Sequence, residues 1–82
     1  MKYLLFASNT CKSCPAMKIN LTKAGITYLE MNVSIEKNKM MAGTMHVRSL
    51  PTLIVTKGGK PIESLVGVRP VEELEKIKAK YK

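Results

Sequence analysis

Tryptophan is missing from the chain, and the aromatic set is three tyrosines and one phenylalanine. A core built from this sequence must therefore be aliphatic, helped by six methionines. Cysteine is scarce as well, with Cys11 and Cys14 alone. That excludes the disulfide-dense scaffold of small secreted domains. A single histidine, His46, leaves little for a metal centre. With both thiols it makes three soft ligands, and a closed zinc site takes four. No second Cys-x-x-Cys and no paired histidine supplies the rest. Long apolar runs are absent too. "MKYLLFA" has one lysine and an apolar run of five residues, followed at once by polar Ser8, Asn9 and Thr10. A signal peptide needs a hydrophobic region of about 7–15 residues, and a membrane-spanning helix needs about 20. The expected location is the cytosol, with no membrane among the partners. Acidic residues are few, six against 14 basic ones, for a net charge of +8. Such a balance raises the question of nucleic acid. The lysines are spread from Lys2 to Lys82, with no arginine cluster and no aromatic interleaving. The charge reads as a solvated surface, and nucleic acid is not an expected partner.

What is present suits one small domain over residues 1–82. Hydrophobic residues are 45% of the chain, an ordinary globular share. Residues 2–7 form a continuous apolar run and predict a strand buried on both faces. Met17, Leu21 and Ala24 recur at helical spacing from Cys14 onward, and Gly25 is placed to stop that helix. Residues 26–33 alternate and predict a second strand. Residues 34–45 predict a helix with Ser34 as its N-cap and Met40, Met41 and Met45 on its core side. "TLIVT" at 52–56 predicts a strand, "KGGK" a hairpin turn, and 61–67 the returning strand. Residues 69–82 predict a last helix with Pro70 near its first position. Its apolar stripe is Val71, Leu74, Ile77 and Tyr81, and Glu72 and Lys76 form a favourable i,i+4 pair. The predicted fold class is α/β, in the order β-α-β-α-β-β-α. A four-stranded mixed sheet then carries helices on both faces.

The two thiols stand in "NTCKSCPAM", residues 9–17. Three uses fit a Cys-x-x-Cys pair: a structural bridge, a metal clip and a redox couple. A bridge across so short a loop removes little chain entropy. A metal clip requires ligands shared between chains. A further possibility is a basic binding module without redox chemistry.

The order of motifs resembles the thioredoxin superfamily. Three features carry the resemblance: "CKSC" between a buried strand and a helix, "VRSLPT" at 47–52 before a β-branched strand, and Gly67 before the final helix. "VRSLPTLIV" and "KGGKPIESLVG" are similar to thioredoxins, while the length is that of a glutaredoxin. The chain departs from thioredoxins at Thr10, where they have tryptophan, at Lys12-Ser13, where they have Gly-Pro, and at Leu5, where they bury an aspartate. It departs from glutaredoxins by lacking Pro-Tyr inside the motif and paired acids after the last strand.

The resemblance implies a thiol–disulfide oxidoreductase, a protein-disulfide reductase without a cofactor. A glutathione-dependent glutaredoxin is the alternative within the class. Cys11 is then the nucleophile, near a helix N-terminus whose dipole favours a thiolate, and Cys14 the resolving thiol. Lys12 and Ser13 would tune the pair. Pro51 would be a cis-proline, with Leu50, Pro51 and Thr52 binding substrate along the backbone. Glu30 is a candidate proton acceptor for Cys14 in place of the missing acid, and His46 a lesser one. Pro15 fits the first turn of a helix or kinks it further in. Implied partners are disulfide-bearing proteins, ribonucleotide reductase among them. A thioredoxin-reductase-type or glutathione reductant would recycle a monomer.

Overall fold

Strand β1, Lys2–Ala7, takes the centre of the sheet, which is why its apolar run does not alternate. The computed structural model describes residues 1–81. The elements follow as α1 Cys14–Lys23, β2 Leu29–Asn32, α2 Glu36–Thr44, β3 Thr52–Lys57, β4 Lys60–Val66 and α3 Val71–Lys80. The four strands form one sheet in the order β2-β1-β3-β4. β1 and β2 are parallel, and β1–β3 and β3–β4 are antiparallel. The predicted mixed sheet is therefore present. Lys82, the last residue of the predicted final helix, lies outside the described residues.

Alternate residues of the central strands feed two cores, as the two-residue strand period requires. Leu5, Leu53 and Val55 meet Met17 and Leu21 of α1 and Leu74 and Ile77 of α3 on one face. Leu4, Phe6 and Ile54 meet Met31 of β2 and Ala42 of α2 on the other. Phe6, the one phenylalanine, is fully buried. Fully burying a side chain of this size contributes about 1.5–3 kcal/mol.

Several boundaries differ from the sequence expectation, each for a local reason. β2 begins at Leu29 rather than residue 26, because the end of α1 uses Gly25 and Ile26. The Gly25 N–H donates to the Thr22 carbonyl and the Ile26 N–H to the Leu21 carbonyl, each at 3.0 Å. Gly25 stands at φ +74, a left-handed stop that glycine adopts without strain. Ser34 does not cap α2. The N-cap is Ile35 in extended conformation, with no side-chain bond. Met40 and Met41 are exposed rather than in the core, Met40 at 68%. Ala42 is the one buried residue of α2, and only Met45 of the three methionines packs partly on that core. Pro70 is the N-cap of α3, one place earlier than expected. The ion pair at the start of α3 is Arg69 with Glu73, at 2.9 Å. Among the described residues Glu72 and Lys76 form none.

Candidate active site

Parallel β1–β2 pairing sends both strands out at the same sheet edge, and antiparallel β3 enters there. Phe6 of β1 stands opposite Thr52 of β3. The loop after β1 and the loop before β3 are thus neighbours. The first carries Cys11 and Cys14, the second Leu50 and Pro51.

Cys14 is the first residue of α1 and is 1% exposed. Cys11 lies three residues earlier and is half-buried. The two form a disulfide with Cα atoms 5.5 Å apart. Ser13 is the N-cap residue of α1, and its hydroxyl lies 3.9 Å from the Cys11 sulfur. Its carbonyl accepts the Met17 N–H at 3.3 Å. Pro15 therefore sits in the first turn, where an amide hydrogen has no helical partner, and leaves the helix running to Lys23. That decides between the two readings of Pro15. No acidic residue stands in the first turn of α1, so its own side chains leave the positive helix end beside Cys11 uncompensated. Lys12 is exposed.

The loop before α1 is pinned from two sides. The Cys11 N–H donates to the Ser8 carbonyl at 3.3 Å. Asn9 joins the end of β2 through a ring of three bonds. Asn32 Nδ2 donates to Asn9 Oδ1 at 2.8 Å. The Asn9 N–H donates to Ser34 Oγ at 3.2 Å, and the Ser34 N–H donates to Asn32 Oδ1 at 2.9 Å. This is why Ser34 is unavailable as a cap. The ring was not foreseen from sequence.

The second loop holds the cis Leu50–Pro51 peptide bond. Pro51 is buried, and its carbonyl accepts the Gly67 N–H at 2.8 Å, which brings the end of β4 to the site. Thr52, expected at a binding surface, is 1% exposed, and its hydroxyl donates to the Ser49 carbonyl. Its side chain braces the loop from within. Leu50 is partly buried against the α2-side core. Among the described residues its N–H and carbonyl take part in no backbone bond outside the regular elements. Val66 and Val68 flank Gly67 and are exposed at 52% and 41%. They add an apolar rim that the sequence reading missed, although "LVGV" breaks the strand alternation and signals it.

The remaining candidates lie elsewhere. Leu5 is fully buried in the α1–α3 core, so the place of the family's acid is apolar. Glu30 is exposed and paired with Lys18 of α1 at 3.0 Å. His46 is exposed at φ +61 and ends α2. Its N–H donates to the Gly43 carbonyl, and the Val47 N–H to the Ala42 carbonyl. That is a Schellman stop built on a histidine, a residue enriched in the left-handed region. Among the described residues no group of three or more His, Cys, Asp or Glu side chains converges. No helix among them is long and apolar enough to cross a membrane.

Comparison with known proteins bears on the same residues. Curated thioredoxins are similar over part of their length. That of Listeria monocytogenes is 35% identical over 51 residues, which are 62% of this chain and 50% of the relative. That of Alicyclobacillus acidocaldarius is 38% identical over 50 residues, 61% of this chain and 46% of the relative. The match thus spans about half the length of these relatives. Among solved structures, the germline-specific thioredoxin Deadhead of Drosophila melanogaster superposes with a TM-score of 0.81 at 21% identity, over 98% of this chain and 79% of that one. A mutant thioredoxin of Halobacterium salinarum gives 0.82 at 20% identity, over 96% and 72%. These likenesses show the thioredoxin fold. The family model for thioredoxin matches residues 3–80, nearly the whole sequence. With the Cys11–Cys14 pair at the head of α1 and this match, the chain belongs to the thioredoxin family.

Proposed function

We propose that the protein reduces disulfides in other proteins by dithiol exchange. One observation carries the reading: a half-buried Cys11 is bonded to a buried Cys14 at a helix N-terminus, near a loop in which, among the described residues, the Leu50 backbone is unpaired. The Cys11 thiolate attacks one sulfur of the substrate disulfide. That S–S bond breaks, a Cys11–substrate disulfide forms, and the released thiolate takes a proton. Cys14 then loses its proton and attacks Cys11. The second substrate sulfur leaves as a thiol, and the Cys11–Cys14 disulfide results. Two electrons pass from the dithiol to the substrate. An external reductant, of thioredoxin-reductase type or glutathione, restores the dithiol.

Exposure supports these roles, since the outer sulfur is the one a protein substrate reaches. The positive helix end and the Ser13 hydroxyl favour the thiolate of Cys11, and exposed Lys12 adds a screened cation. Leu50 offers its backbone to an extended substrate segment in the manner of an added strand. Pro51 shapes that edge, Thr52 braces it, and Val66 and Val68 give apolar contact. With Leu5 apolar and Glu30 held by Lys18, water or the leaving thiolate receives the Cys14 proton. Substrates are disulfide-bearing proteins, with ribonucleotide reductase one such target, and the cytosol is the setting.

The test is stoichiometric. The reduced protein should reduce insulin disulfides and finish as the Cys11–Cys14 disulfide. Cys11→Ser should abolish this and Cys14→Ser should stop turnover. Insulin reduction that survives in Cys11→Ser would refute the reading. Recycling with glutathione alone, or with a flavoprotein reductase alone, separates the two reductants.

A further inference from the structure

A cavity of about 320 Å³ opens between α2 and the segment that returns from it to the sheet. Val33 and Leu50 are part of its lining, and among the described residues the Leu50 backbone takes part in no bond outside the regular elements. Val47 and Ala42 supply apolar wall. Lys39 and Arg48 line it as cations, and no acidic side chain does. Both are exposed, and among the described residues neither forms an ion pair or a side-chain hydrogen bond. In a chain that carries a net +8, two unpaired cations beside an apolar wall suit a carboxylate next to an aliphatic group.

Gly43 points the same way. It stands inside α2, where glycine disfavours the helix relative to alanine. A β-carbon at Gly43 would meet nothing within 4 Å. Packing therefore does not require glycine there. Gly43 is part of the lining, so a bulkier residue there would border the cavity.

We propose that this cavity reads the sequence around the disulfide of a protein substrate, and that it selects an acidic residue beside an aliphatic one. The occupant is a segment of the substrate, because Leu50, whose backbone is offered to the substrate chain, is itself part of the lining. Lys39 and Arg48 are specificity-determining residues that touch the segment away from the reacting sulfurs. The proposal rests on the exchange reaction above, and its test separates the two.

The probes are disulfide-bonded peptides that differ at one flanking position, Glu against Gln, with a neighbouring Leu. Fluorescent versions with serine for cysteine measure binding alone. The Glu peptide should be reduced, and its serine form bound, about fivefold better than the Gln peptide, equivalent to about 1 kcal/mol at 1.4 kcal/mol per decade. Added salt should shrink the preference. Lys39→Gln with Arg48→Gln should abolish it and leave reduction of uncharged hydroxyethyl disulfide unchanged. Gly43→Leu, checked for folding by its melting curve, should weaken both peptides. Equal binding of Glu and Gln peptides by the unaltered protein would overturn the proposal, whether or not reduction occurs. Glutathione that binds through Lys39 and Arg48 when the Glu peptide does not would also overturn it. Failure to reduce hydroxyethyl disulfide would instead strike the exchange reaction, and the binding comparison would still decide the cavity.

Discussion

His46 holds a left-handed backbone that glycine holds with less strain. His46→Gly should therefore raise stability, by about 0.5–1 kcal/mol after the greater freedom of glycine in the unfolded chain is set against the strain. Thermal unfolding measures it, and an unchanged or lower midpoint would contradict the assignment of His46 as a helix stop. Lys12 belongs to the same scale. It is exposed, so its influence on Cys11 is that of a surface charge, at most about 1 kcal/mol. Lys12→Glu should slow alkylation of Cys11 near neutral pH by a few-fold, and 1 M salt should erase most of the difference. Cys11 and Cys14 were legible in the sequence because their spacing and the strand before them are local. Thr52 and His46 were not. Strand alternation does not say which loop carbonyl a buried hydroxyl will meet, and a left-handed histidine leaves no periodic trace.

At the scale of elements, the reaction loop is held by β2 rather than by its own helix. The Asn9–Asn32–Ser34 ring joins residues 23 and 25 positions apart in the chain. No local pattern announces such a pairing. Asn32 contributes two side-chain bonds to the ring, each with a typical net contribution of about 0.5–1.5 kcal/mol. Asn32→Ala should then cost about 1–3 kcal/mol in urea unfolding, with an added increase in hydrogen exchange at Asn9 and Cys11. Protection confined to its former value at those amides would show that the ring does not hold the loop. Strand and helix identities were legible because β1 and β3 are strongly apolar and α3 is clearly amphipathic. α2 was only half legible. Its methionines follow a helical spacing, yet the helix is short and buries Ala42 alone, so the pattern overstated its core.

Across the whole molecule, the C-terminal end of α3 is tied to the sheet by Glu63 of β4. Its carboxylate accepts from the Tyr81 hydroxyl and from Lys80. The Tyr81 bond, then the Lys80 bond, hold the Glu63 carboxyl below the usual carboxylate range. The unfolded chain takes up that proton first, so Glu63 contributes stability above the unfolded value of about 4.3. That contribution is lost as pH falls through the lowered folded value. Glu63→Gln should flatten the acid side of the stability–pH curve, and an unaltered slope in urea titrations between pH 2 and 5, the range set by ordinary carboxylates, would contradict the tie. Topology was legible at this scale, because a parallel first pair and a glycine hairpin leave few arrangements. The cation-lined cavity at Leu50 was not, since Lys39 and Arg48 come to line one cavity only in the folded chain. The central claim is the division of labour between the two sulfurs. A Cys14→Ser variant mixed with disulfide-bearing protein tests it most directly, read by mass spectrometry of the trapped adduct. The account predicts a stable adduct bonded to Cys11, with none formed by Cys11→Ser. An adduct bonded to Cys14 in the Cys11→Ser variant, with none at Cys11, would contradict it.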